Sequence, residues 1–168
     1  MPREVMERRA GDNVYLHRDF HGALSTGLIY LEQRFGEAAV REFLRGFARR
    51  FYAPLRAELS ERGLAAIADR LRRVYELEGG KLQIELSDDE LLARVEACPA
   101  VTHMRAQGYP VSRLWRETIT AVNEAIVEGS AFDFDLVDYD ERSGRSVQRF
   151  YRRTDARPAR GGQEETPA

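Results

Sequence analysis

The hydrophobic repeat changes its period at Gly79-Gly80, and this change constrains the fold more than any other feature of the sequence. Before the two glycines, apolar residues recur at three- and four-residue steps, which is the spacing of one helix face. After them, Leu82, Ile84 and Leu86 alternate with polar residues, as in a strand with one buried face. The chain is therefore predicted to begin with helices and to continue into antiparallel strands.

Three helices are predicted ahead of this change. The first begins at Asp12 or Asn13, either of which caps a helix, and ends at Gly36. The second is kinked or broken at Pro54, because proline removes a backbone donor and clashes with the preceding turn. The third covers residues 64–78. The predicted inward residues of the first two helices are Leu16, Phe20, Leu24, Leu28, Leu31 and Phe35, followed by Val40, Leu44, Phe47, Phe51 and Leu55.

Two β-hairpins are predicted after the helices. The first pairs residues 82–86 with residues 91–97, which alternate in the same way. The second pairs residues 132–136 with a returning strand at residues 147–153. Each hairpin is expected to bury one face.

A short helical stretch ending at Gly108 and a longer helix over residues 112–128 separate the hairpins. Antiparallel hairpins with segregated helices predict an α+β fold of two layers. In this fold the N-terminal helices pack on an antiparallel sheet of two β-hairpins, with one helix between them.

A chain of 168 residues with 43% hydrophobic composition fills one hydrophobic core rather than two. Residues 1–11 and 154–168 are polar and show no periodicity. The first segment is predicted to be a flexible N-terminus and the second a disordered tail. A single α+β domain is predicted for residues 12–153.

The charge pattern argues against a nucleic-acid partner, since 26 basic and 28 acidic residues are interspersed and the formal net charge is −2. No apolar run reaches the ~20 residues of a membrane span, and the first residues lack the apolar segment of a signal peptide. The single cysteine excludes an intramolecular disulfide and fits a reducing compartment. The sequence therefore predicts a cytoplasmic protein with no nucleic-acid and no membrane partner.

The candidate chemical residues fall into two short segments. His17 and His21 lie four positions apart, so a helix places both on one face, beside the apolar stripe. Cys98 and His103 follow the end of the first hairpin. Strand alternation places Cys98 on the face opposite Val95, away from the core.

Three interpretations of these residues remain open. If the two segments meet, His17, His21, Cys98 and His103 form a tetrahedral set suited to a divalent metal such as zinc or manganese. Alternatively, a Cys98 thiolate with His103, or with a histidine of the first helix, as its base is a catalytic pair that attacks a carbonyl or amidine carbon. In the third interpretation the histidines are structural or line a ligand pocket, and each neutral ring has a hydrogen-bonding partner.

The order of three helices, a hairpin ending in Cys98-Pro99, a helix and a closing hairpin resembles the 2-aminothiazoline-4-carboxylate hydrolase-like family of bacterial proteins over residues 12–153. The segments that carry the resemblance are Tyr15-Leu16-His17, Cys98-Pro99, Gly108 and Gly129 to Phe134. It implies hydrolysis of a small ring containing C–N bonds, with Cys98 at the position of the family's Cys-Pro. The order of elements is also similar to 4-vinyl reductase domains and to subunits of vesicle-tethering complexes, which bind hydrophobic small molecules or act as interaction modules.

Two functions follow from these observations. The first is a hydrolase-like protein in which a metal-bound water, or Cys98 with a histidine base, attacks a small C–N substrate. The alternative is a non-catalytic module that binds a small apolar ligand or a partner chain through its helices. Spare aromatic surface on the helix over residues 40–55 would also support a homodimer.

Overall fold

The computed structural model describes residues 18–154, in which six helices and four strands follow one another. In chain order they are α1 (Phe20–Phe35), α2 (Glu37–Phe51), α3 (Ala53–Arg62), α4 (Leu64–Glu78), β1 (Leu82–Leu86), β2 (Glu90–Val95), α5 (Pro99–Ala106), α6 (Glu117–Val127), β3 (Phe132–Tyr139) and β4 (Ser146–Arg152). The helices pack on an antiparallel sheet, so the predicted α+β class is confirmed. The predicted N-terminal segment 1–11 and, apart from Thr154, the predicted tail lie outside the described residues.

Both hairpins belong to one four-stranded antiparallel sheet in the order β1-β2-β4-β3. β2 and β4 lie at its centre, and their register places Leu91 opposite Phe150. Both side chains are fully buried, so the two-residue repeat that predicts the strands also marks the face that packs on the helices. The register of β3 shifts between Leu136 and Asp138, where the strand bulges.

The helices follow the predicted order but differ at some of their ends. α1 begins at Phe20, after a turn at residues 18–19, and not at Asp12 or Asn13, which lie outside the described residues; a capping residue type permits a helix start but does not fix it. Pro54 lies in the first turn of a separate helix, α3, where its missing N–H needs no partner. Between the hairpins, α5 ends ahead of Gly108, and residues 113–116 form turns, so that α6 begins later than the repeat predicts. None of the helices in residues 18–154 has the length and apolar character of a membrane span.

A ladder of ion pairs fixes α2 against α6. The pairs are Arg41–Glu117, Arg45–Glu124 and Arg49–Glu128. Glu117 is buried whereas the carboxylates of the other two pairs are exposed, so the first pair is the least screened by water. The residue numbers rise together along both helices, which therefore run in the same direction.

Ser25 fastens α1 to the loop ahead of α6. Its hydroxyl donates to the carbonyl of Pro110 at 2.7 Å and accepts from the backbone N–H of Ser112 at 2.8 Å. In the same region Gly22 lies against the ring of Tyr109, and a Cβ at Gly22 would come within 2.7 Å of that ring. These contacts hold the start of α1 close to the end of α5.

Four phenylalanines that the helical repeat predicts to face the core are exposed instead. The exposed fractions are 60% for Phe20, 66% for Phe35, 42% for Phe47 and 61% for Phe51. On the same two helix faces, Val40 and the leucines within residues 18–154 are buried or half-buried. A helical repeat identifies apolar faces but does not say what covers them, because core faces and surface faces share the same period. The predicted inward position was therefore wrong for these four residues.

Candidate functional site

Cys98 lies between β2 and α5 and is mostly buried. β2 ends at Val95, so the strand alternation that places Cys98 on the outer face does not extend to it. Pro99 begins α5 and turns the chain, and the backbone N–H of Cys98 donates to the carbonyl of Ser143 at 2.9 Å. Cys98 consequently faces the interior, contrary to the position that alternation predicts.

Burial raises the pKa of the Cys98 thiol above its ordinary value of 9.0, and the negative charge of Glu78 adds to the rise. The N–H groups of Val101 and Ala100 at the start of α5, and the side chain of Trp115, act in the opposite direction. Cys98 nevertheless forms no side-chain cap hydrogen bond on α5. The thiol therefore stays protonated at neutral pH and is not activated as a nucleophile.

Cys98 acts electrostatically on two tyrosines, Tyr75 and Tyr139, and Gln148 forms a hydrogen bond with Tyr75. We call Tyr75, Cys98, Tyr139 and Gln148 the Cys98 cluster. Burial raises the pKa of Tyr75 above its ordinary range and that of Tyr139 to about 12, and Cys98 adds to both rises. A hydrogen bond with Gln148 offsets part of the rise in the pKa of Tyr75. Asn123 donates to the side-chain oxygen of Gln148 at 3.3 Å. All four side chains are neutral at physiological pH, and a negative charge that acts on both Cys98 and Tyr75 is that of Glu78.

His103 pairs with Asp19 at the start of α1. Its Nε2 lies 2.8 Å from Asp19 Oδ1, and the Tyr109 hydroxyl donates to the same oxygen at 3.4 Å. Because a carboxylate only accepts hydrogen bonds, Nε2 carries a proton, and a neutral ring then keeps its lone pair on Nδ1. The side chains are 19% and 47% exposed, so water reaches this pair. The arrangement is that of a general base held in one orientation by a carboxylate.

The first turns of α5 separate Cys98 from His103. Five positions along an α-helix correspond to about 7.5 Å along the axis and about 140° around it. Cys98 packs against the loop between β3 and β4, whereas His103 faces Asp19. The structure thus does not bring the predicted nucleophile and its predicted base together.

His21 has its Nε2 3.4 Å from Glu78 Oε2 and its ring edge-on to Trp115, and both of these residues also act on the Cys98 thiol. Within residues 18–154, no group of three or more His, Cys, Asp or Glu side chains has the geometry of a metal site. His21, Cys98 and His103 therefore do not form a three-ligand group for zinc or manganese. His17 lies outside the described residues, so a metal site that includes it stays a prediction.

Three exposed phenylalanines lie together on α2. Phe43, Phe47 and Phe51 follow one another on successive turns, and the rings of Phe47 and Phe51 stack with their centroids 5.0 Å apart. Together with Ala39 and Gly46 they line an open groove of about 810 Å³. We call these five residues the α2 face.

A smaller groove of about 380 Å³ lies between α6 and β3. Its lining is mainly polar and includes Arg116 and Asp138. The hydroxyl oxygen of Thr120 is buried there without a hydrogen-bond partner among the described residues. The groove therefore combines one unsatisfied polar atom with three carboxylates, those of Glu124, Asp135 and Asp138.

Of the Cys98 cluster, only Cys98 itself is identified from the sequence, and Tyr75, Tyr139 and Gln148 are not. The signal for Gln148 was present, because Ser146, Gln148 and Phe150 occupy alternate positions of one strand and all three are buried. A polar residue at an inward strand position needs a hydrogen-bonding partner, and this requirement points to a buried polar cluster.

Comparison with known proteins gives no match to a family model and no curated protein of significant sequence similarity.

Proposed function

We propose that the protein is a non-catalytic interaction module that binds a partner protein through the α2 face. The observation that carries this proposal is the exposure of Phe43, Phe47 and Phe51, which are 46%, 42% and 61% exposed on one helix. Exposed apolar surface is unfavourable by roughly 25 cal/mol per Å², and binding a partner removes it from water. Large aromatic side chains are also the commonest energetic anchors of protein interfaces.

The α2 face is held in position before any partner arrives. The ion pairs of Arg45 and Arg49 with α6 fix the opposite flank of α2, and Leu44 and Ala48 are buried beneath it. A rigid face loses little conformational entropy on binding, which favours affinity. This function agrees with the expectation from 4-vinyl reductase domains, whose order of elements the chain resembles.

In-cell photo-crosslinking tests the proposal. A benzophenone amino acid is placed at Phe47 and, as a matched control, at Leu77, a side chain on α4 that is 50% exposed. We expect the probe at position 47 to form a covalent adduct with a protein and the probe at position 77 to form none. Equal crosslinking at both positions, or none at position 47, would contradict the proposal.

A hydrolase-like activity is the second candidate, and the His103–Asp19 pair supports it. In this version His103 Nδ1 takes a proton from a water molecule that attacks the electrophilic carbon of a small cyclic C–N substrate. This version uses water as the nucleophile and not Cys98, because burial raises the pKa of the Cys98 thiol.

The assay for this second candidate is the release of amine from cyclic amidines and amides. We expect His103→Gln and Asp19→Asn each to lower the rate by at least about 100-fold, because the base or its orientation is lost. Arg73→Gln on the exposed side of α4 is a control that should leave the rate unchanged. Unchanged rates in the first two variants would exclude the His103–Asp19 pair as the catalytic base.

We also propose a cytoplasmic location, supported by the single free cysteine, Cys98, which suits a reducing compartment. Fluorescence imaging of the tagged protein tests this location. A secreted or envelope-associated signal would contradict it.

A further inference from the structure

The α2 face is flanked by two charges of opposite sign. Glu42 and Arg50 each lie four residues from Gly46, which places them about 6 Å from it in opposite directions along the helix axis. Both side chains are exposed and line the same groove as the phenylalanines. Neither takes part in an ion pair with another residue of the range 18–154. The charged groups of Glu42 and Arg50 are therefore available to an external partner.

Arg50 differs in this respect from the other arginines of α2. Each of the others pairs with a glutamate of α6, and they are Arg41, Arg45 and Arg49. Arg50 follows Arg49 by one position, which is about 100° around the helix, and it forms no ion pair with another residue of the range 18–154. Three arginines of α2 are thus paired with α6, whereas Glu42 and Arg50 have no ion-pair partner within the described residues.

Gly46 lies midway between the two charges. Glycine in the interior of a helix is less favourable than alanine, because the unfolded chain loses more conformational freedom on folding. A Cβ at Gly46 would meet no atom within 4 Å, so no contact within the described chain requires glycine at this position. A residue without a side chain does allow a second backbone to approach closely. Gly46 therefore leaves room for a second helix to approach α2 closely.

We infer that the α2 face binds a second copy of this chain, with the two α2 helices antiparallel about a two-fold axis at Gly46. The axis sets Glu42 of each copy level with Arg50 of the other, and it faces the phenylalanines of the two copies towards each other. One patch then serves on both copies, as a closed two-fold interface requires. A parallel arrangement would instead place Glu42 opposite Glu42 and Arg50 opposite Arg50. Like charges opposite each other are unfavourable. The inference rests on the proposed function and names its partner.

Charge reversal tests the antiparallel arrangement by sedimentation equilibrium of the purified full chain. We expect a monomer–dimer equilibrium for the natural sequence. Glu42→Arg and Arg50→Glu should each raise the dimer dissociation constant about tenfold or more, because two attractive contacts become repulsive. An equimolar mixture of the two variants should recover the affinity, since opposite charges then face each other in the mixed dimer. The double variant should recover it for the same reason.

Two further variants separate the interface from the stability of the fold. Gly46→Leu should abolish the dimer, whereas Gly46→Ala should leave the monomer at least as stable to urea. Glu76→Arg, a charge reversal on the exposed side of α4, is the matched control and should leave the dissociation constant unchanged.

Other outcomes overturn the inference in distinguishable ways. A natural sequence that stays monomeric up to ~100 µM, with a crosslinked adduct at Phe47 to a different protein, would refute the homodimer and leave the interaction module standing. No adduct at all would refute both. A dimer that is insensitive to either charge reversal would refute the antiparallel register.

Discussion

The packing of the Cys98 cluster makes Gly144→Ala the most informative single substitution. Gly144 has a φ of +67°, and a Cβ built there would overlap Cys98 Cβ and lie 3.0 Å from Val101 Cγ2. The left-handed backbone costs an L-residue roughly 1–2 kcal/mol. The overlap costs about 1–3 kcal/mol more, because the backbone of α5 and the loop between β3 and β4 must separate. The expected loss in the free energy of unfolding is therefore about 2–5 kcal/mol.

Gly108→Ala is the matched control. Gly108 has a φ of +72°, but a Cβ there would meet no atom within 4 Å. This variant should lose only the backbone contribution, about 1–2 kcal/mol. The difference between the two variants isolates the contact between Gly144 and Cys98.

Urea denaturation monitored by far-UV circular dichroism measures both variants. Equal m-values would show that the substitutions change the free energy of unfolding and not the surface area that unfolding exposes. If the two free energies of unfolding differ by less than about 0.5 kcal/mol, the overlap is absent, and Gly144 does not pack against Cys98.

Three further predictions concern single side chains. Because burial raises the pKa of the Cys98 thiol, iodoacetamide should alkylate the native protein slowly at about pH 8 and the urea-unfolded protein fast; equal rates would indicate an accessible thiolate. Thr120→Val removes a buried hydroxyl that lacks a partner among the described residues, so the free energy of unfolding in urea should rise by about 1 kcal/mol. A fall would indicate that the hydroxyl has a hydrogen-bond partner. Hydrogen bonds from Ser143 lower the pKa of Asp140 below its ordinary value of 3.8, so their stabilisation is present above that pH and is lost as the pH falls below it. Asp140→Asn should accordingly lose less stability than the natural sequence between about pH 5 and pH 2, and equal losses would argue against this role.

The strands and their buried face were predictable because alternation depends on local geometry alone. Leu91 belongs to the alternating residues of the predicted first hairpin and is fully buried in the structure. Phe47 and Phe51 were not predictable in this way, since a helix can have one apolar face towards the core and another towards a partner. The sequence identifies such a face, but only the packing of the remaining helices decides which face stays exposed.

The candidate site was less predictable than the fold, because its members come together through tertiary contacts. The outward position expected for Cys98 assumed that β2 continues to residue 98, but the strand ends at Val95 and Pro99 redirects the chain. The partner of His103 is Asp19, far along the sequence and without a motif to connect them. A short motif reveals only neighbours in the chain, so pairs of this kind require coordinates.

The central position of β2 and β4 also has a consequence for the order in which the protein folds. Each hairpin forms from neighbouring residues, but the β2–β4 contact joins segments on either side of α5 and α6. Closing that long loop delays the pairing, because its entropy is lost before the contact is made. During this interval the backbone groups of β2 are open on one side and able to pair with another chain. Substitutions that slow the meeting of the two hairpins should therefore increase aggregation during refolding even where the final stability is unchanged.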